Sequence, residues 1–146
     1  MIDSVIVTPL KIIDVPGGDV LHVMKSNERG YMGFGEAYFS TIVPGQIKAW
    51  KRHKQMTLNL AVPVGMIRFV IFDDRDGSPC IGQFQEVILS RENYSRLTIP
   101  PMVWMGFQCV GNETAMLLNI ASIPHDPKEA DKLEINKIIF DWSLDI

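Results

Sequence analysis

Short strand-like runs recur along this chain between turn signals, and that rhythm restricts the fold more than any other feature. The runs are Val5-Ile-Val-Thr, Val20-Leu-His-Val-Met, Ala37-Tyr-Phe-Ser-Thr-Ile-Val, Leu58-Asn-Leu-Ala-Val, Met66-Ile-Arg-Phe-Val-Ile-Phe, Phe84-Gln-Glu-Val-Ile-Leu, Ser95-Arg-Leu-Thr-Ile, Trp104-Met-Gly-Phe-Gln-Cys-Val and Ala115-Met-Leu-Leu-Asn-Ile-Ala. They are rich in β-branched and aromatic residues, and several alternate in polarity, as half-buried strands do. Turn residues separate them at Pro16-Gly-Gly, Pro44-Gly45, Asp76-Gly77-Ser-Pro79 and Gly111-Asn112. Many short strands with regular turns imply an all-β sandwich or barrel. Helix signals are confined to Pro127–Leu133, with Asp126 as N-cap and Pro127 at the first helical position, one or two turns at most. With 146 residues and no internal repeat, the expectation is a single domain over 1–146.

Charge and composition narrow the partners. The formal charge of −3 carries no bias toward nucleic acid or a membrane surface. The longest apolar stretch, Leu58 to Phe72, is broken by Asn59, Pro63, Gly65 and Arg68, too interrupted to span a bilayer. The opening Met-Ile-Asp-Ser-Val has neither the basic nor the apolar region of a signal peptide. Cys80 and Cys109 are far apart and form no C-x-x-C, which suits reduced thiols in the cytoplasm.

The chemistry-bearing residues concentrate in Gly45-Gln-Ile-Lys-Ala-Trp-Lys-Arg-His53. This has the spacing G-x5-H-x-H, with Lys51 at the first histidine position. Pro100-Pro-Met-Val-Trp-Met105 fits P-x-G-x2-H, with Met102 for glycine and Met105 for histidine. The two spacings resemble the paired motifs of cupins, the double-stranded β-helix or jelly-roll barrels, and so imply that fold. Where cupins place four metal ligands, this chain keeps only His53, because Thr57 or Leu58 stands at the glutamate position. A zinc, iron or manganese site needs several converging donors, so neither a metal nor another cofactor is expected. In an extended strand Lys51 and His53 share one face and Arg52 and Lys54 the other. A lysine turned into a barrel is costly unless it meets an anion or a carboxylate. Lys48 and Lys51 are therefore candidates for a ligand's phosphates or enolate oxygen, and His53 for proton transfer. Glu36 and Tyr38 alternate onto one side and are candidates to hydrogen-bond a sugar or base. Trp104 is a candidate stacking surface. His125, at the end of a strand, is a candidate acid or base. Asp73-Asp74-Arg75 reads as a local ion pair, and Trp142 as a packing anchor.

From Phe34-Gly-Glu-Ala-Tyr-Phe-Ser to Ile139-Ile-Phe-Asp-Trp142 the chain resembles the dTDP-4-dehydrorhamnose 3,5-epimerase family. The pieces that carry the likeness are Pro44-Gly-Gln-Ile-Lys-Ala-Trp-Lys-Arg-His-Lys, Phe72-Asp-Asp-Arg-Asp-Gly-Ser-Pro, Ile99-Pro-Pro-Met-Val-Trp-Met-Gly-Phe and the closing Phe-Asp-Trp. The resemblance implies a dimeric, metal-free barrel acting on a nucleotide-linked 4-keto-6-deoxyhexose in deoxysugar or surface-polysaccharide biosynthesis. In that family a histidine removes the proton α to the C4 ketone and a tyrosine returns one on the opposite face. Carried over, the catalytic histidine falls at Lys51, the substrate-binding arginine at Lys48 and a second pocket histidine at Met105. The catalytic tyrosine falls at or near Ile123, with His125 two positions on. An N-terminal arginine falls at Gly17, and the pocket glutamine and asparagine fall at Glu36 and Tyr38.

Two readings follow. In the first, the chain is an epimerase or isomerase with a rebuilt site, in which Lys51 is the base or holds the oxyanion while His53 or His125 moves the proton. In the second, it is an inactive cupin that binds a nucleotide sugar or assists a pathway enzyme. A homodimer is expected in either case.

Overall fold

The computed structural model describes residues 1–144. In chain order it forms β1 (Ile6–Pro9), β2 (Ile12–Ile13), β3 (Val20–Leu21), β4 (Glu36–Ile42), β5 (Ile47–His53) and β6 (Leu58–Val64). These are followed by β7 (Ile67–Phe72), β8 (Phe84–Leu89), β9 (Ser95–Ile99), β10 (Trp104–Cys109), β11 (Ala115–Ala121) and β12 (Ala130–Lys132). Two five-stranded sheets result, ordered β1-β9-β6-β11-β4 and β12-β5-β10-β7-β8, with β2 and β3 as a separate ribbon. Every pairing is antiparallel. From β4 onward the chain crosses between the sheets at almost every step, which makes the jelly roll the sequence implied.

The two sheets pack face to face through alternating residues. Leu58, Leu60 and Val62 of β6, Leu97 and Ile99 of β9 and Leu117 of β11 meet Ile67, Phe69 and Ile71 of β7 and Val87 and Leu89 of β8. Each large side chain buried there contributes about 1.5–3 kcal/mol relative to exposure. The outer faces are covered as well, which is why even the outward-facing polar residues Asn59 of β6, Arg68 of β7 and Arg96 and Thr98 of β9 are buried. Outside the first sheet, Arg96 is fully buried and donates to the carbonyls of Val23 and Arg29 and to Glu28. Asn59 donates to the carbonyl of Gly30, so the segment before β4 is strapped across the sheet. Outside the second sheet a separate cluster forms from Trp50, Val70, Trp104 and Ile138, with Phe140 and Trp142 packed on it. Trp142 sits 5.3 Å from Trp50, the anchoring role expected of it.

The helix expected over Pro127–Leu133 is shorter. Asp126 does cap it, accepting from the Lys128 amide, but only Pro127–Glu129 forms a single 3-10 turn. Residues 130–132 instead join the free edge of β5 as β12. The ladder offered by β5 outweighs the weak local helix signal.

The loop joining β7 to β8 is built on Asp73, which is fully buried. Its carboxylate accepts from Arg75 Nε at 2.9 Å, from the Arg75 amide at 3.0 Å and from Ser78 Oγ at 2.6 Å. The Arg75 guanidinium is the largest of the influences that pull its pKa from 3.8 to about 2. A carboxylate depressed in the folded state stabilises above its unfolded pKa and loses that contribution as pH falls through the folded value. Asp73→Asn is expected to cost about 1–2 kcal/mol at pH 7, less than the full shift because Arg75 remains partly in water. Urea unfolding at neutral pH and near pH 2 should show wild type losing this increment on acidification and the variant losing none of it.

Candidate active site

A cavity of about 450 Å³ lies between the two sheets. The first sheet contributes Tyr38 and Ser40 from β4, Leu58 from β6, Ile99 from β9 and Asn119 from β11. The second contributes Lys48, Lys51 and His53 from β5, Met105 and Phe107 from β10, and Lys132 from β12. Most of the wall is apolar, and the charged groups are concentrated along β5 and its neighbour.

Strand parity alone does not put Lys48 and Lys51 together, because three positions apart they belong to opposite faces. A bulge corrects this. Lys51 pairs with Met105 and Lys48 with Phe107, so Ala49 and Trp50 together oppose Gly106. Lys48, Lys51 and His53 thereby all line the cavity. Glycine is required at 106, since a Cβ there would lie 2.7 Å from Ala49 Cβ and 3.0 Å from the Trp142 ring.

On the other edge of β5, Lys51 pairs with Lys132. Trp50 and Leu133 exchange both backbone hydrogen bonds, at 3.0 and 3.1 Å. The adjacent Lys51–Lys132 pair is therefore a non-hydrogen-bonded one, in which side chains stand closest. Burial, followed by the Lys132 charge, pulls the Lys51 pKa below 10.5 against the opposing pull of Glu129. Lys48 donates to the Thr41 carbonyl at 2.9 Å, which ties β5 to β4.

Glu129 completes the site from behind. Oε1 meets His53 Nδ1 at 2.5 Å, and Oε2 accepts from the amides of Gln55 at 2.8 Å and Met56 at 2.9 Å. Burial is the largest single influence on Glu129 and raises its pKa, but the two amides and His53 together bring it below 4.5. An ionised Glu129 makes Nδ1 the donor, so the neutral ring keeps its lone pair on Nε2. His53 therefore reaches the cavity as a base already oriented by a carboxylate. Tyr38 lines the same cavity from the other sheet, and burial, followed by the Glu36 charge, raises the pKa of its phenol above 10.0.

Of the residues expected here, Lys48, Lys51, His53, Tyr38 and Met105 line the cavity. Glu36, on β4, influences Tyr38 electrostatically without lining the cavity. Trp104 lies on the opposite face of β10 from Met105, where it is 4% exposed. It receives the Arg52 guanidinium at 4.6 Å and donates from Nε1 to Asp74 at 3.0 Å, so its ring is committed to packing rather than to a ligand. His125 is exposed on the loop before the 3-10 turn and does not line the cavity. Among the described residues, no three His, Cys, Asp or Glu side chains cluster as a metal site would need.

Sequence reasoning missed Glu129 and Lys132. Asp126-x-x-Glu129 carries the D-x-x-E spacing of a helix capping box, which suggests a local role. The structure sends that carboxylate across to His53 instead. Nothing in the sequence marks Lys132, since its place depends on β12 pairing with β5.

Glu129→Gln should free the imidazole. Nitrogen NMR of wild type is expected to show the tautomer with hydrogen on Nδ1, and the variant a mixture. An unchanged tautomer in the variant would mean that Glu129 does not orient the ring.

The model of the dTDP-4-dehydrorhamnose 3,5-epimerase family matches residues 46–146. Over 115 residues the chain is 30% identical to the probable low-salt glycan biosynthesis epimerase Agl13 of Haloferax volcanii, covering 75% of this chain and 74% of that protein. It is 26% identical over 149 residues to the spore coat polysaccharide biosynthesis protein SpsL of Bacillus subtilis, with 99% of both covered. Among solved structures, a dTDP sugar isomerase from Desulfovibrio desulfuricans G20 superposes with a TM-score of 0.93 at 40% identity, over 97% of this chain and 92% of that one. A dTDP-4-dehydrorhamnose 3,5-epimerase from Elizabethkingia anophelis shares the fold, with a TM-score of 0.83 at 16% identity over 99% of this chain and 84% of that one. With its jelly roll, its matched motifs and these relatives, the chain belongs to the dTDP-4-dehydrorhamnose 3,5-epimerase family.

Proposed function

We propose that this protein is a nucleotide-sugar epimerase that removes the proton α to the ketone of a nucleotide-linked 4-keto-6-deoxyhexose. The observation that carries the reading is the paired Lys51 and Lys132 beside a carboxylate-backed His53 in one cavity. Unpaired like charges side by side are unfavourable, and an anionic ligand relieves them. Lys48 and Lys132 are exposed, whereas Lys51 is half-buried and the His53 side chain is 11% exposed. That gradient supports a reading with a diphosphate at the mouth and the sugar deeper, against Lys51 and His53. Lys51 then acts at the C4 carbonyl, His53 Nε2 takes the α-proton, and Tyr38 on the opposite wall returns one to the other face. A proton removed from one face and returned to the other inverts the carbon.

The relatives support the wider setting. The Desulfovibrio protein is described as a dTDP sugar isomerase, and the Haloferax and Bacillus proteins as serving glycan and spore coat polysaccharide biosynthesis. We read this chain likewise as a deoxysugar enzyme of polysaccharide biosynthesis, working in the cytoplasm, where its free Cys80 and Cys109 would stay reduced. One observation favours a second reading, a binding protein without turnover: the family's tyrosine is expected at or near Ile123, and no tyrosine stands there.

Deuterium wash-in separates the two. In D2O with dTDP-4-keto-6-deoxyglucose, proton NMR is expected to show exchange at C3 or C5. His53→Gln should slow it about 10²–10⁴-fold. Perturbed protein resonances without exchange would favour the binding protein. Neither effect would remove this substrate class.

The protein is also proposed to be a homodimer. β4 is a seven-residue strand with one edge unpaired, and Phe39, on it, is 62% exposed, with Phe34 just before it at 64%. Such an edge is normally covered. Light scattering is expected to give two chains per particle, and Phe39→Lys one; a monomeric wild type would overturn this.

A further inference from the structure

The reading above leaves open how Lys51 acts at the carbonyl, and a lysine can do so in two ways. As an ammonium it stabilises an enolate by charge. As a free amine it condenses with the ketone. We propose that Lys51 is a Schiff-base lysine: its amine forms an iminium with the sugar ketone, and that iminium is the electron sink for α-proton removal. The inference rests on the keto-sugar reading of the same site.

Three features of the surroundings favour the amine. The first is the neighbour. Lys132 stands directly opposite in a close, non-hydrogen-bonded pair, and a second cation beside a lysine is one of the recognised ways to free its amine. The second is the lack of a partner carboxylate. Among the described residues Lys51 takes part in no salt bridge. Glu129 is occupied by His53 and two amides, and Asp131 by Arg52 at 2.8 Å on the outer face. The third is desolvation, since Met56, Leu58, Ile99, Val103, Met105 and Phe107 form the apolar wall of the cavity. Burial acts on Lys51 in the same direction as its neighbour.

The required proton carrier is also in place. His53 follows Lys51 by two residues on the same face, with Glu129 behind it. In the proposed sequence the Lys51 nitrogen attacks C4, the C=O π bond breaks, and an N–H proton passes to the carbonyl oxygen, giving a carbinolamine. Protonated His53 delivers a second proton, water leaves, and a C=N⁺ bond forms. Neutral His53 then takes the α-proton, and the C–H electron pair becomes the C=C bond of an enamine. Tyr38 protonates that carbon from the other face, which restores the iminium and leaves a phenolate. Water adds back, the proton this releases returns to the phenolate, the C–N bond breaks, and ketone and free amine return. No oxidant or reductant is consumed. The iminium keeps one positive charge at Lys51, so a diphosphate at Lys48 and Lys132 stabilises it.

The test is trapping. Wild-type protein is mixed with dTDP-4-keto-6-deoxyglucose and sodium cyanoborohydride, which reduces iminium ions far faster than ketones near neutral pH. Mass spectrometry is expected to find a secondary-amine adduct of the nucleotide sugar on the peptide containing Lys51. In water enriched in oxygen-18, the protein should also accelerate label entry into the C4 carbonyl. Lys51→Arg keeps the charge but cannot form the imine, so it should lose deuterium wash-in to the level of Lys51→Ala, at least about 100-fold. Wash-in by wild type with no adduct, and with Lys51→Arg active within about tenfold, would overturn the imine and leave the epimerase reading standing. An adduct on Lys48 or Lys132 instead would also overturn it. Neither wash-in nor adduct in wild type would remove both.

Discussion

One carboxylate oxygen of Glu129 holds His53 and the other holds the amides of Gln55 and Met56, and the functional end of the molecule is organised around that arrangement. Burying this carboxylate is tolerable because three donors converge on it. In return it fixes the end of β5, the turn into β6 and the start of β12. With β12 seated, Lys132 is delivered to the side of Lys51. Remove the carboxylate and the imidazole, the turn and the edge strand all lose their common anchor.

The rest of the molecule supplies rigidity. β6, β7 and β9 are covered on both faces, by each other inside and by the two terminal segments outside. Such strands cannot slip, because a one-residue shift would bring Arg68, Arg96 or Thr98 into the apolar interior. The cavity occupies the part of the interlayer space where β5 replaces apolar residues with lysines and a histidine. Like charges held close there oppose folding slightly, and a bound anion would reverse that effect. On the proposed reading, the same charges that oppose folding are the ones that would hold the ligand.

Much of this was legible beforehand. The strands β4 and β7 to β11 follow from runs of β-branched and aromatic residues between turns, and Ala115–Ala121 is read in full. Strand alternation put Lys51 and His53 on one face, and the motif spacing turned that face inward, where both line the cavity. Lys48 is a candidate ligand contact beside them, although strand parity argues against that and only the bulge opposite Gly106 permits it. Trp104 was misjudged because an aromatic near a motif looks the same whether it faces a ligand or an arginine. His125 was considered for its chemistry, but the loop that carries it stays outside the cavity.

By itself the sequence determined the fold class, most of the strands along the chain and the choice of β5 as the strand with the candidate residues. The all-β class depends on local periodicity and turn residues and the candidate strand on short motif spacings, all written within a few positions of each other. Only the tertiary structure decided that Glu129 backs His53 and that Lys132 stands against Lys51. Both contacts join residues about 80 positions apart along the chain. They exist because residues 130–132 pair with β5 in one register, through backbone N–H and C=O groups that nearly every residue type carries and that no sequence pattern marks.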